Sequence, residues 1–261
     1  MAIRAPNYGY PPADPTRWWT QLISDMFSQS DLYEDNKHHL PTPKELEQTL
    51  APRILQRFSS AKAYTLFDDT VPFLLALRNL KEELPERHRL AICIASDSDS
   101  RIISALSELL DQASTHGRVP DLRPLLGIHS SSSKGSPACS LASARPIFGH
   151  EIGYTKPDAR FFWTARNMAW PVVATTQQEQ RTSDAKADSA RDGKTVYVGD
   201  SHELDYIGAR EAGLDALWIG RSALAPDDYA ATRAQHRIES LVDVVNVLRT
   251  SYEEEGVIVR S

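Results

Sequence analysis

From about Ala63 onward, short apolar runs alternate with helical patterns, and this alternation restricts the fold more than any other feature of the chain. Tyr64 to Phe67 precedes a helical pattern starting near Thr70, with Phe73, Leu74, Leu77, Leu80 and Leu84 on one face. Arg89 to Ala95 (RLAICIA) reads as a buried strand, followed by a helix bearing Ile102, Ile103, Leu106, Leu109 and Leu110. Lys156-Pro157 opens another helix. Thr195 to Val198 is a strand, Glu203 to Ala212 a helix stopped by Gly213, and Ala216 to Ile219 a strand. Strand-then-helix alternation implies an α/β fold, a parallel sheet with helices on both faces.

The first sixty residues read as helical without a strand. Asp14-Pro15 is a cap followed by Pro, with Trp18, Leu22, Met26 and Phe27 as apolar positions. Thr42-Pro43-Lys44-Glu45 has the form of a capping box, and Leu46, Leu50, Ile54 and Phe58 mark the expected buried face. Two polar segments, 130–146 with its run of serines and 177–193, read as surface insertions. Glu253-Glu254-Glu255 reads as a solvated charge run.

Composition excludes several classes. With 261 residues the chain suffices for one large domain or two small ones. A net charge of −6 leaves no basic surplus for a phosphate backbone, so no nucleic-acid partner is expected. No run is long enough to span a bilayer, and the start has no apolar signal region, so no membrane partner is expected either. Two cysteines cannot form a disulfide framework, and Cys93 sits in an apolar run. A reducing compartment follows, cytoplasmic or nuclear.

Three groups of residues carry candidate chemistry. In VYVGDSHELDYIGAREAGLDALWIG (196–220) a strand ends at Gly199-Asp200, and Asp205 follows in the opening turn of a helix. Two hard carboxylates at the C-terminal edge of a parallel sheet suit Mg²⁺, which keeps several of its waters. Alternatively Asp200 only caps the helix and Asp205 only favours its positive end. Lys156 in GYTKPDARFF precedes a helix N-terminus, where anions are also held, or is an ordinary surface lysine. Ser96 and Asp97 follow RLAICIA. The Ser96 hydroxyl and adjacent N–H groups could hold a phosphate oxygen, or the cluster 96–101 only caps a helix.

Taken in order, Ser96 after a strand, Lys156-Pro157-Asp158, and the string ending Gly199-Asp200-Ser201 with Asp205 resemble motifs two, three and four of the haloacid dehalogenase-like (HAD) hydrolase superfamily. The resemblance covers about Ala63 to Arg249. Pro6-Asn7-Tyr8-Gly9 and Trp18-Trp19 resemble the cap of the haloacid dehalogenase-like hydrolase domain-containing three subfamily. It implies a Rossmann-like core, a helical cap inserted after the first strand, and Mg²⁺-dependent phosphoester hydrolysis through an aspartyl-phosphate. Carried over, Ser96 and Asp97 bind the phosphoryl group, and Lys156 neutralises nucleophile and phosphoryl charge. Asp200 holds Mg²⁺, and Asp205 ligates or orients it. The expected partner is a small phosphorylated substrate, or a protein if the scaffold only binds. The low glycine count, 12, fits a family that holds phosphate without a glycine-rich loop.

The family's first motif, DxD at the end of its first strand, supplies nucleophile and acid from alternate residues on one side of that strand. Only MAIRAP precedes the cap-like Asn7, without an aspartate. Asp68-Asp69 does not replace it, because adjacent residues on an extended segment point to opposite sides. Asp68, Asp69 and Thr70 read instead as the cap of the helix that follows. The expected architecture is a HAD-type Rossmann-like parallel sheet lacking its first strand. It comprises a partial helical cap over 1–62, the core over 63–250 and a tail over 251–261. Two expectations follow: a hydrolase whose first strand is encoded upstream of Met1, or a non-catalytic binding or regulatory protein. In either case this chain lacks the nucleophile and is expected to be inactive and poorly stable as it stands. It could recruit a strand from elsewhere, with Val257-Ile258-Val259 as the candidate.

Overall fold

The computed structural model describes residues 14–29, 35–36, 38–85, 90–115, 119–128, 144–174, 194–221 and 236–256. Pro6 to Gly9, Arg89, Cys139, Val257 to Val259, insertion 177–193 and all but the end of insertion 130–146 lie outside these residues.

The N-terminal part is helical, as its caps predict. Helix α1 (Pro15–Ser28) starts with the Asp14 carboxylate accepting from the Arg17 N–H at 3.0 Å. The Thr42–Glu45 capping box is formed, with the Thr42 N–H donating to Glu45 at 2.8 Å and the Glu45 N–H to the Thr42 hydroxyl at 3.3 Å. The buried face beyond it differs from expectation. A π-helical turn (Leu46–Leu50) intervenes before α2 (Ala51–Phe58). One extra residue in that turn shifts the phase of everything after it. The buried set is therefore Leu46, Ala51 and Leu55, and Phe58 is exposed. In α1, Leu22 and Ile23 are buried while Met26 and Phe27 are exposed.

Beyond residue 63 the layers of an α/β fold appear. Tyr64 to Phe67 joins no ladder, contrary to its reading as a strand. Helix α3 (Thr70–Glu83) buries Leu74, Leu77 and Leu80, as predicted. Strand β1 (Ala95–Ser96) is the ladder part of the apolar run and leads into α4 (Arg101–Ser114). β1 pairs in parallel with β2 (Ile147–Phe148), with Ala95 opposite Ile147. Helix α5 (Ala159–Ala174) begins two residues after Pro157, with Pro157 in the preceding turn. Strand β3 (Val196–Gly199), β4 (Asp215–Ile219) and β5 (Arg237–Ile238) form a second parallel ladder in the order β3-β4-β5. Between β3 and β4 lie a wide turn (His202–Ile207) and α6 (Gly208–Glu211), closed by Gly213 at φ +81°. Helix α7 (Leu241–Glu254) runs back from β5 behind a Ser240–Asp243 capping box, so Glu253 and Glu254 are helical.

The two ladders share their flanking layers. On one face Ile92 and Ile94 pack toward α3 and α4, while Val196 and Val198 meet Leu217, Ile219, Ile238 and Val244; Phe73 of α3 joins both groups. On the other face Ala95 and Tyr197 pack against Phe161 and Phe162 of α5 and Ala209 of α6. This is a Rossmann-like α/β/α arrangement of parallel strands, split between β1 and β3 among the described residues. Among those residues no helix is long and apolar enough to cross a membrane.

Asp69 precedes α3 but makes no side-chain cap there. Its carboxylate reaches across the molecule instead. It accepts from Arg221 at 2.8 and 2.9 Å, from the Ser240 hydroxyl at 3.1 Å and from the Leu241 N–H at 2.8 Å. Burial raises its pKa, and the bonds from Leu241, Arg221 and Ser240 outweigh that and hold it below the ordinary value. A lowered native pKa contributes stability above the unfolded value that is lost as pH falls through the native one. Asp69→Ala is expected to cost about 2 kcal/mol in urea unfolding at neutral pH. The deficit should shrink as the pH is lowered past the native titration.

Candidate active site

The sheet's C-terminal edge brings together residues far apart in sequence. Asp97 leaves β1, Lys156 follows the turn after β2, and Asp205 stands in the turn after β3. Lys156 Nζ lies 2.7 Å from Asp205 Oδ1 and 4.0 Å from Asp97 Oδ2. The Lys156 N–H also donates to Asp97 Oδ1 at 3.1 Å, so this residue meets one carboxylate with its backbone and the other with its ammonium. Asp205 is 3% exposed, and its second oxygen accepts from the Ser201 N–H at 2.9 Å. The Tyr197 hydroxyl stands 3.2 Å from Asp205 Oδ1. Burying a carboxylate and an ammonium is costly unless both are paired and hydrogen-bonded, and here they are.

Glycines make room for this cluster. A Cβ at Gly199 would overlap Asp205 Cβ and Cγ, so the strand must end in glycine for Asp205 to fold back over it. At Gly149 a Cβ would come within 2.9 Å of the Tyr154 carbonyl and 3.2 Å of Asp97 Oδ1.

The remaining candidates stand differently. Ser96 turns its hydroxyl onto its own loop, accepting from the Ser98 N–H at 3.1 Å, and Asp99 accepts from the Arg101 N–H at 3.1 Å. Asp200 is exposed and does not cap the next helical turn; Ser201 does, accepting from the Leu204 N–H at 3.2 Å. The backbone of Asp200 is anchored by the Trp218 indole, which donates to its carbonyl at 3.0 Å. Among the described residues no three His, Cys, Asp or Glu side chains group as a metal cage.

Four residues contribute beyond the expected site residues. Tyr197 and Gly199 share a strand face by alternation, but the Tyr197–Asp205 contact depends on the turn folding back over the strand, which spacing does not show. Ser201 and Trp218 were read only as parts of the motif string. Trp19 of α1 donates to Asp99 Oδ2 at 3.0 Å, with Arg101 stacked 5.7 Å from its ring, which ties the N-terminal helices to the loop beside Asp97.

The electrostatics follow from burial. Desolvation pushes the Asp97 carboxyl up, the Lys156 contacts pull it down, and repulsion from Asp205 adds to the rise, for a net raised pKa. Burial and the Asp205 charge together push the Tyr197 phenol well above its ordinary range, so it stays a donor. Cys93, half-buried beneath, is pushed up to about 11 by burial.

No protein-family model matches the chain, and no curated protein matches it. Among solved structures it is similar to a 2-haloacid dehalogenase from Pseudomonas syringae pv. Tomato DC3000. That match has 16% identity and a TM-score of 0.43, and covers 92% of this chain and 73% of that one. It is also similar to a HAD phosphatase from Thermococcus onnurineus, at 16% identity and a TM-score of 0.39, covering 90% and 91%.

Two outcomes check this geometry. Lys156→Met leaves a buried carboxylate unpaired and should cost about 3 kcal/mol in denaturant unfolding, part of which Lys156→Met/Asp205→Asn recovers. Carboxyl NMR should find Asp97 titrating above an ordinary aspartate. A raised native pKa means that the folded state binds more protons in that window, so Asp97 lowers stability as pH rises through it.

Proposed function

We propose that the chain is a HAD-like hydrolase-family protein whose site binds a small phosphorylated ligand together with Mg²⁺, and that this 261-residue chain does not hydrolyse it. The observation that carries the reading is the meeting of Lys156 with Asp97 and Asp205 at the edge where parallel sheets hold ligands. These three residues come from the segments that resemble motifs two, three and four. Roles for Ser96 and Asp200 rest on their places beside that cluster.

The donor set fits Mg²⁺ in kind. Asp200 presents an exposed carboxylate, and Asp205 Oδ2 carries one backbone hydrogen bond and has a lone pair left. Mg²⁺ commonly takes one or two protein carboxylates and completes its shell with water and substrate phosphate. Asp200 would hold the ion directly and Asp205 through water. When bound, it would supply positive charge against the phosphoryl oxygens. A cation would also offset the carboxylates of this edge, Asp97 and Asp205 against the Lys156 ammonium with Asp200 nearby in sequence, which would otherwise repel a phosphate dianion.

The chain's own residues divide the remaining work. Lys156, positioned by Asp205 and by its N–H on Asp97, donates toward a phosphoryl oxygen. The Ser96 O–H would donate as well, and the Ser98 N–H would join it once its bond to the Ser96 oxygen opens. Tyr197 and Ser201 hold Asp205 in place. The non-catalytic half of the reading rests on the family's first DxD motif, which the sequence lacks ahead of its cap-like segment. A binding or regulatory role with a protein partner, in the cytoplasm or nucleus, belongs to the same reading.

The test is titration of the chain with inorganic phosphate by ³¹P NMR, with and without Mg²⁺, beside an aryl phosphate assay. Phosphate should bind only with Mg²⁺, and Lys156→Met or Asp200→Ala should weaken it at least about tenfold, or 1.4 kcal/mol. Turnover of the aryl phosphate that Asp200→Ala abolishes would refute the non-catalytic half of the proposal. Phosphate binding untouched by either substitution would refute the site.

A further inference from the structure

A buried carboxylate needs its donors in every state of the site, and one donor of Asp205 is also the group that must meet a ligand. Asp205 Oδ1 accepts from Lys156 Nζ at 2.7 Å and from the Tyr197 hydroxyl at 3.2 Å, while Oδ2 accepts from the Ser201 N–H at 2.9 Å. The last donor is backbone and stays in place; the first two are free to change partners. Lys156 is the cation that this edge offers to an anion. An ammonium that turns toward a phosphoryl oxygen weakens its hold on Asp205, and a carboxylate 3% exposed has little water to take its place. Leaving such a group short of a donor costs more than the lost bond was worth.

Tyr197 stands where a replacement donor is needed. Its hydroxyl lies 3.2 Å from Asp205 Oδ1 and 3.5 Å from the Ala95 carbonyl. Both distances exceed the value of about 2.7–2.8 Å common for O–H···O bonds, so one phenolic proton is suspended between two acceptors with neither bond at full strength. The ring that carries it is held. Phe162 of α5, fully buried, packs edge-on against it at 5.0 Å between centroids. Phe162 in turn lies so close to Gly208 that a Cβ there would come within 3.0 Å of its ring. With the ring clamped, the freedom left to Tyr197 is rotation of its O–H. Burial and the Asp205 charge keep the phenol protonated, so the rotation exchanges one hydrogen bond for another and no proton changes owner.

The second acceptor matters because of the peptide it belongs to. The Ala95 C=O and the Ser96 N–H are two ends of one planar unit, and Ser96 opens the turn that carries Asp97. A bond from Tyr197 to Ala95 restrains that unit, and a swing of the hydroxyl to Asp205 lifts the restraint. The turn itself stays anchored, because the Lys156 N–H still donates to Asp97 Oδ1 at 3.1 Å.

We infer that Tyr197 is a positioning residue with two settings. While Lys156 holds Asp205, the phenol O–H is shared between Ala95 and Asp205. When Lys156 turns to an anion, the O–H closes onto Asp205 Oδ1 and leaves Ala95, so that engaging the anion and freeing the Ser96 peptide are one event. This role rests on the phosphate-binding reading of the site and adds the means by which a buried carboxylate releases its lysine.

The experiment is NMR of the 261-residue chain, saturated with Mg²⁺ and titrated with inorganic phosphate, beside the same titration of Tyr197→Phe. It follows the Lys156 side-chain nitrogen and the Ala95 carbonyl carbon. The Ile94 carbonyl, which accepts from the Ile147 N–H, is the control. Phosphate should move Lys156 and, in step with it, shift the Ala95 carbonyl upfield as its hydrogen bond is lost, with Ile94 unmoved. Tyr197→Phe should bind phosphate at least about fivefold more weakly, with no shift at Ala95 and with Mg²⁺ affinity, read from the Asp200 N–H, as in the parent chain. An Ala95 carbonyl that stays in place while Lys156 moves overturns the two-setting role and leaves the phosphate reading intact. Equal phosphate affinity in the two chains does the same, as does an equal weakening of Mg²⁺ and phosphate, which marks a merely structural role. Lys156 unmoved by phosphate overturns both. If Tyr197→Phe does not fold, the carbonyl measurement on the unaltered chain decides alone.

Discussion

The Lys156–Asp205 pair is the contact on which the upper edge of this molecule depends. It fastens the turn after β2 to the turn after β3, and the backbone of Lys156 fastens both to the loop after β1. Three crossovers separated by 49 and 59 residues are thus fixed at one point. Buried ion pairs of this kind rarely add net stability, because desolvation offsets most of their attraction. Apolar residues of similar volume would hold the same loops together without that cost. What the pair does is hold one ammonium and one buried carboxylate rigidly at this edge, with the Lys156 side chain only 15% exposed.

Much of this edge could be read in the sequence because its determinants are local. Gly199-Asp200, Asp205 and the stop at Gly213 follow one another along a strand, a turn and a helix, and spacing alone fixes their placement. The alternation that predicted parallel strands did so for the same reason. Readings failed where position depended on a non-local or sub-helical detail. A π-helical turn at Leu46–Leu50 moved the buried stripe by one residue, and no propensity argument marks such a turn. Asp69 had the local look of a cap, but the Arg221 guanidinium and the N-terminus of α7 compete for it successfully because they offer more donors than its own helix does. β2 and β5 are two-residue ladders, too short to show a period. The Ser240–Asp243 capping box that starts α7 was present in the sequence and was overlooked.

Site residues divide along the same line. Lys156 and Asp205 were legible as members of motifs, but their mutual contact was not, since it crosses 49 residues. Ser96 shows the opposite case: the motif marks it, while its hydroxyl oxygen also accepts from the Ser98 N–H in the local turn and keeps its O–H as a donor. Tyr197 falls within the expected strand Thr195 to Val198. Its role emerges only in three dimensions, where its hydroxyl lies between the Asp205 carboxylate and the Ala95 carbonyl.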